Sequence, residues 1–153
     1  MNFTAAHDSS KKTLAGGYWF LFFRDRLVVA ETGGGDFAVP RLDGDSWDPA
    51  LRELRGRTRR VLYFGRLDGV DCYAGDLSSD EGLPAGYSAT ALRPLYGKIP
   101  VDIMRPARFA GHLLHWDRST RYCGTCGGPN DDKADERAKT CPACGADRKS
   151  TRL

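Results

Sequence analysis

Long apolar runs are missing from this sequence, and so is an apolar signal core at its start, where residues 1–12 read MNFTAAHDSSKK. No membrane-spanning helix and no secretion signal are expected on those grounds. A dominant charge is missing too: 23 Lys and Arg face 20 Asp and Glu, and the net +3 is too mild to call for nucleic acid by itself. Gly33-Gly34-Gly35 lacks both the Lys-Ser/Thr of a P-loop and the G-x-G-x-x-G spacing of a dinucleotide fold, so it reads as a link. Asp43, Asp45 and Asp48 lie close together in a turn, without the pattern that would hold a divalent cation. What is present is ordinary for a soluble chain of 153 residues, with 41% apolar and 28% charged side chains. That is enough for one medium domain and a small appended module.

The exception is cysteine. Four of the five cysteines fall in two C-x-x-C-G pairs, Cys123-Gly124-Thr125-Cys126-Gly127 and Cys141-Pro142-Ala143-Cys144-Gly145. Each pair can set two thiolates on one side of a tight turn, and two such turns make a tetrahedral four-sulfur cage suited to Zn²⁺. The glycine after each second cysteine suits a chain that must turn through positive φ. The run Gly128 to Thr140 is polar and cannot build a core of its own. Zinc would contribute folding free energy of about 10–16 kcal/mol, as in small zinc modules. A closed site of this kind is structural, because no position is left for water or substrate. Two disulfides are the alternative. The spacing suits a ribbon better, and nothing in the chain looks secreted, so a reducing, cytoplasmic setting is expected. Cys72 is left over and reads as a small buried hydrophobe.

Along the chain, residues 1–13 are polar and expected to fray. Tyr18 to Phe23 and Arg26 to Ala30 read as a hairpin across Arg24-Asp25, its aromatics packed in a core. Phe37 to Pro40 suits a short edge strand. Asp48-Pro49 reads as a helix cap with proline at the first helical position, leading into Ala50 to Leu54. Arg52, Arg55, Arg57, Arg59 and Arg60 follow as a dense basic cluster, suited to phosphate or simply to a solvated helix end. Val61 to Leu67 and Val70 to Ala74 pair across Asp68-Gly69, a strong hairpin signal. Ala89 to Leu92 suits a strand or a helix start. Asp102 to Ser119 is the clearest helix, with Ile103, Ala107, Ala110, Leu113 and Leu114 on one stripe and Pro106 near its first turn. It leads into the first cysteine pair, and Trp116 and Tyr122 are expected to seal that joint. His112 and His115 are on this helix without a carboxylate motif and read as surface or packing residues. The order predicts an α+β fold: an antiparallel-sheet domain over 14–118 and a four-cysteine ribbon over 119–153.

Three stretches together resemble a known family. Gly17-Tyr18-Trp19-Phe20 opens the first hairpin, and Tyr63 to Tyr73, YFGRLDGVDCY, forms the second. The specific one is Ala110 to Gly127, AGHLLHWDRSTRYCGTCG, which looks like the helix-to-ribbon junction of the NADH pyrophosphatases, Nudix hydrolases that carry a zinc ribbon. The resemblance runs from about Gly17 to Gly145. It implies a degenerate Nudix-like domain and a ribbon whose zinc ligands are Cys123, Cys126, Cys141 and Cys144. In that family a complete Nudix domain follows and cleaves NAD(H) to NMN(H) and AMP, or removes NAD caps from RNA. It uses Mg²⁺ or Mn²⁺ and generally acts as a homodimer. Here Gly145 is followed by Ala146 to Leu153, where the family has a Tyr-Pro-Arg segment. The Arg-Glu-x-x-Glu-Glu helix of a Nudix box has no counterpart, since Arg52-Glu53-Leu54 lacks the paired glutamates. The resemblance therefore predicts a part that is inactive alone and serves structure, dimerisation or substrate positioning. A free-standing ribbon module for nucleic acid or a protein partner is the other expectation, since Arg118, Arg121, Lys133, Arg137, Lys139, Arg148, Lys149 and Arg152 surround the cysteines.

Overall fold

The aromatic run at Gly17–Phe23 is buried along both of its faces, and that fact organises the fold. In a computed structural model of the chain, residues 2–8, 16–43 and 48–149 are described. Strand β2 (Gly17–Phe23) sends Phe20 and Phe22 to one side of a sheet and Trp19 and Leu21 to the other. Alternation puts neighbouring residues on opposite faces, so a strand covered on both sides reads as an unbroken apolar run. Two helices provide the cover. Helix α2 (Val101–Ser119) closes one face with Ile103, Met104, Ala107, Ala110, Leu113 and Leu114, and helix α1 (Pro49–Gly56) closes the other with Leu51 and Leu54.

The remaining strands are β1 (Phe3–Ala5), β3 (Arg26–Gly33), β4 (Asp36–Ala38), β5 (Arg41–Leu42), β6 (Thr58–Leu67), β7 (Val70–Leu77) and β8 (Tyr87–Ala91). The main path across the sheet is β1-β6-β7-β2-β3-β4, with β5 on β2 and β8 on β3. Both expected hairpins form. Phe23 pairs with Arg26 across Arg24-Asp25, and Leu67 pairs with Val70 across Asp68-Gly69, whose φ values of 51° and 75° suit the twist of the strands. The two hairpins join through β2 and β7, which run parallel from Tyr18↔Cys72 to Phe22↔Asp76. The α+β class holds, but the expected antiparallel sheet is mixed at this seam. Hairpin signals are local, whereas the direction in which two hairpins meet is set by packing.

Other local readings meet the same test. Asp48 caps α1, its side chain accepting the Leu51 N–H at 2.8 Å, with Pro49 opening the helix. Phe37 is in edge strand β4 and Ala89 in β8. Two readings are corrected. Residues 3–5, expected to fray, form β1 against β6, because Phe3 packs with Phe64 and Phe109 in the core. Pro106 is the sixth residue of α2, inside the helix and beyond its first turn. Of the turn carboxylates, Asp45 lies outside the described residues. Asp43 pairs with Arg41 at 3.0 Å, and Asp48 is the cap.

Beyond α2 the chain forms a small three-stranded sheet of β9 (Asp131–Asp132), β10 (Ala138–Thr140) and β11 (Asp147–Lys149), in the order β11-β10-β9. The two cysteine turns flank it.

Candidate metal centre and its junction with the sheet

Each cysteine pair is built by the same backbone device. The Gly127 N–H returns to the Cys123 carbonyl at 2.9 Å, and the Gly145 N–H to the Cys141 carbonyl at 2.8 Å. Both glycines have φ of 78°, where a Cβ would be strained. A second bond closes each turn: Cys123 N–H to Gly128 at 2.7 Å, and Cys141 N–H to Ala146 at 2.9 Å. The turns face each other. Cys123 Sγ lies 3.6 Å from Cys144 Sγ, Cys126 Sγ lies 3.5 Å from Cys141 Sγ, and all four sulfurs lie within 4.8 Å of one another. A tetrahedral zinc with sulfurs at about 2.3 Å sets them about 3.8 Å apart, so the four residues present fit the ion. Among the described residues this is the one such cluster of His, Cys, Asp or Glu.

The turns also prepare the sulfurs for a cation. Backbone N–H groups of Cys126 and Thr125 point at Cys123 and hold its thiol down at about 6. Cys141 is lowered as well, by the backbone of Cys144 first. Cys144 goes the other way: the Ala146 N–H favours its thiolate, but its proton is shared with Cys123 and Cys141, and the thiol is pushed up to about 12. Thiolates crowded this closely compete for protons, and a divalent cation would replace that competition by binding them all. Cys72 is far from this chemistry. It is fully buried in the sheet, and burial pushes its thiol up to about 12.

The ribbon is tied to the sheet by charges that patterning did not single out. Asp117, near the end of α2, is buried. It receives Arg60 of β6 through Nε at 3.2 Å and an Nη at 3.0 Å, and it receives Lys139 of β10 at 3.0 Å. Burial alone would raise the Asp117 pKa, but the bonds and charges of Arg60 and Lys139 outweigh it and hold it below the usual carboxylate range. Arg60 continues to Asp132 of β9 at 2.6 Å. Lys139 lies 5.3 Å from the centre of the Trp116 ring, and Arg137 donates to the Tyr63 carbonyl. His7 meets the Ala134 carbonyl at 3.2 Å. One signal for Asp117 was legible: it falls on the apolar stripe of α2, after Ala107, Ala110 and Leu114. A carboxylate there has to find a buried cation.

The expected joint is thus half right. Trp116 is packed at it, while Tyr122 is 67% exposed. The basic cluster does not form one surface. Arg57 bonds Glu53 and the Gly82 carbonyl, Arg59 turns to Asp76, and Arg60 is spent on Asp117 and Asp132. His112 and His115 are exposed on α2 and gather with no other ligand type among the described residues.

A mixed sheet covered by two helices, with a four-thiol ribbon locked to it, defines an α+β domain with an appended metal module. The chain belongs to the NADH pyrophosphatase family: the model of the NADH pyrophosphatase-like rudimentary NUDIX domain matches residues 16–116, and that of the NADH pyrophosphatase zinc ribbon domain matches residues 118–147. Among curated proteins it is similar to NAD-capped RNA hydrolase NudC of Stutzerimonas stutzeri, 29% identical over 87% of this chain and 44% of the relative. The NudC of Deinococcus radiodurans is 33% identical over 63% of this chain and 33% of the relative. That of Pseudomonas fluorescens is 32% identical over 60% and 34%. The chain therefore spans between a third and a little under half of the length of these relatives.

Proposed function

We propose that these 153 residues are the supporting half of an NAD(H) pyrophosphatase or NAD-cap hydrolase, carrying one structural Zn²⁺ on Cys123, Cys126, Cys141 and Cys144. The observation that carries this is the pair of adjoining family matches across a junction locked by Asp117. A ribbon held this firmly suits a rigid platform that positions a catalytic domain, with the homodimer contact the resemblance implies. The chain is inactive by itself, and Mg²⁺ or Mn²⁺ belongs to a catalytic Nudix domain. In support, the buried carboxylates Asp76 and Asp117 are already committed to arginine and lysine. Work in a reducing cytoplasm is part of this reading, because four cysteines arranged as ligands for one metal suit that setting better than disulfides do.

The test has two parts. Elemental analysis of the purified chain should find about one zinc per chain. The zinc-loaded chain, given NADH with Mg²⁺ or Mn²⁺, should release no AMP. Metal-dependent turnover would overturn the assignment as a supporting half, and zinc-free protein with an intact ribbon would overturn the metal assignment.

A further inference from the structure

Asp76, at the end of β7, is buried to 3% side-chain exposure, yet three arginines from two elements and the ribbon entry converge on it. Arg118 of α2 lies 3.3 Å from Oδ1, Arg59 of β6 lies 3.5 Å from Oδ2, and Arg121 lies 4.0 Å from Oδ2. Among the described residues these three cations have no second carboxylate within ion-pair distance. One negative charge therefore holds three positive ones, and two are in excess. The distances matter as much as the count. A carboxylate serving only to neutralise one arginine takes it in a tight fork, whereas here the contacts are long and shared. The guanidinium groups keep N–H donors free, and the side chains remain 55%, 29% and 51% exposed for Arg59, Arg118 and Arg121.

We propose that Arg59, Arg118 and Arg121, gathered round Asp76, form an open binding site for phosphate groups. The planar, permanently charged guanidinium matches phosphate oxygens two at a time, and Asp76 keeps the three groups facing one place without cancelling them. The site is an open patch rather than an enclosed cleft, which suits successive phosphates of a strand better than one small anion. The exposed ring of Tyr122 directly follows Arg121 and offers a surface on which a base can stack. This goes beyond the supporting role proposed above and is independent of it. The zinc and activity assignments can stand with this patch binding nothing, and the patch can bind phosphate whatever follows the ribbon.

The experiment uses the zinc-loaded 153-residue chain and two probes, a short uridine-only RNA strand followed by fluorescence anisotropy and inorganic pyrophosphate followed by calorimetry. Binding of the strand should weaken with salt, with log K against log [salt] falling by about 0.7 for each phosphate contacted. Arg59→Gln and Arg121→Gln should each reduce that slope by about 0.7 and weaken low-salt binding about fivefold to tenfold. Arg121→Lys should keep most of the slope, and Arg93→Gln, outside the patch, should change nothing. Tyr122→Ala should weaken the RNA and leave pyrophosphate unaffected. Strand binding alone assigns the site to a polynucleotide, and pyrophosphate binding alone assigns it to a small phosphorylated ligand. Both outcomes require the arginine dependence. Should a double Arg59→Gln, Arg121→Gln chain lose its zinc or its circular dichroism, Arg121→Gln alone, the longest of the contacts, carries the comparison. Neither probe binding at low salt, or binding indifferent to these arginines, overturns the proposal.

Discussion

At the scale of single residues, the structure turns on a few polar side chains placed where the apolar pattern predicts none. Asp117 is the chief case, because Lys139 is buried with it and has its charge answered there. Asp117→Ala leaves that ammonium uncompensated and should cost about 3–5 kcal/mol of stability in chemical denaturation. Adding Lys139→Met should recover part of the loss, since a buried ion pair is replaced by apolar packing more cheaply than it is broken. The sign with pH is fixed by the depressed pKa of Asp117. Its contribution is complete above the unfolded value of about 4 and is lost as pH falls through the lower folded value, so the wild type should lose this increment in acid and Asp117→Ala should not. Gly65 matters for the opposite reason, its lack of a side chain. With φ of 152°, a Cβ there would lie 2.2 Å from the Thr4 carbonyl oxygen, so Gly65→Ala should displace β1 and cost about 1–3 kcal/mol. Cysteine reactivity separates the two kinds of thiol. With zinc bound, a thiol reagent should find no fast-reacting cysteine. A chelator should expose the four of the ribbon, and Cys72 should react only on global unfolding, because it is buried and its thiol is raised to about 12.

At the scale of elements, much was legible because the signals are local. Asp-Gly between apolar runs gave the second hairpin, Asp48-Pro49 gave the start of α1, and the stripe from Ile103 to Leu114 gave α2. Asp48→Ala should therefore cost about 1 kcal/mol, measurable as a lowered melting temperature, through loss of the bond to the Leu51 N–H. The elements that were misread depend on distant partners. Strand β1 is only three residues long, with Phe3 its one large apolar side chain, and forms because Phe64 and Phe109 receive that ring. The arginines from Arg52 to Arg60, dense along the chain, left two readings open, a phosphate surface or a solvated helix end. They sit on a helix end and a strand, and the strand sends Arg59 and Arg60 to different carboxylates.

At the scale of the whole molecule, the ribbon and the sheet behave as one piece joined at Asp117, Arg60, Asp132, Lys139 and Arg137. Metal loss should therefore be felt beyond the ribbon. Chelation should unfold β9 to β11 and also lower the melting temperature of the remaining sheet, read by near-ultraviolet circular dichroism, because Asp117 loses Lys139 and Arg60 loses Asp132. A chelated chain whose sheet melts unchanged would show the junction to be inert. The sequence alone determined the cysteine turns, the two hairpins, both helices and the kinship, since each rests on residues within a few positions of one another along the chain. Only the tertiary structure decided that the hairpins meet in parallel, that the aromatic strand is covered on both faces, and which cation answers each buried carboxylate. Those depend on packing between residues distant along the chain, 42 positions for Arg118 and Asp76 and 72 for Arg60 and Asp132, and chain order carries no direct record of such meetings.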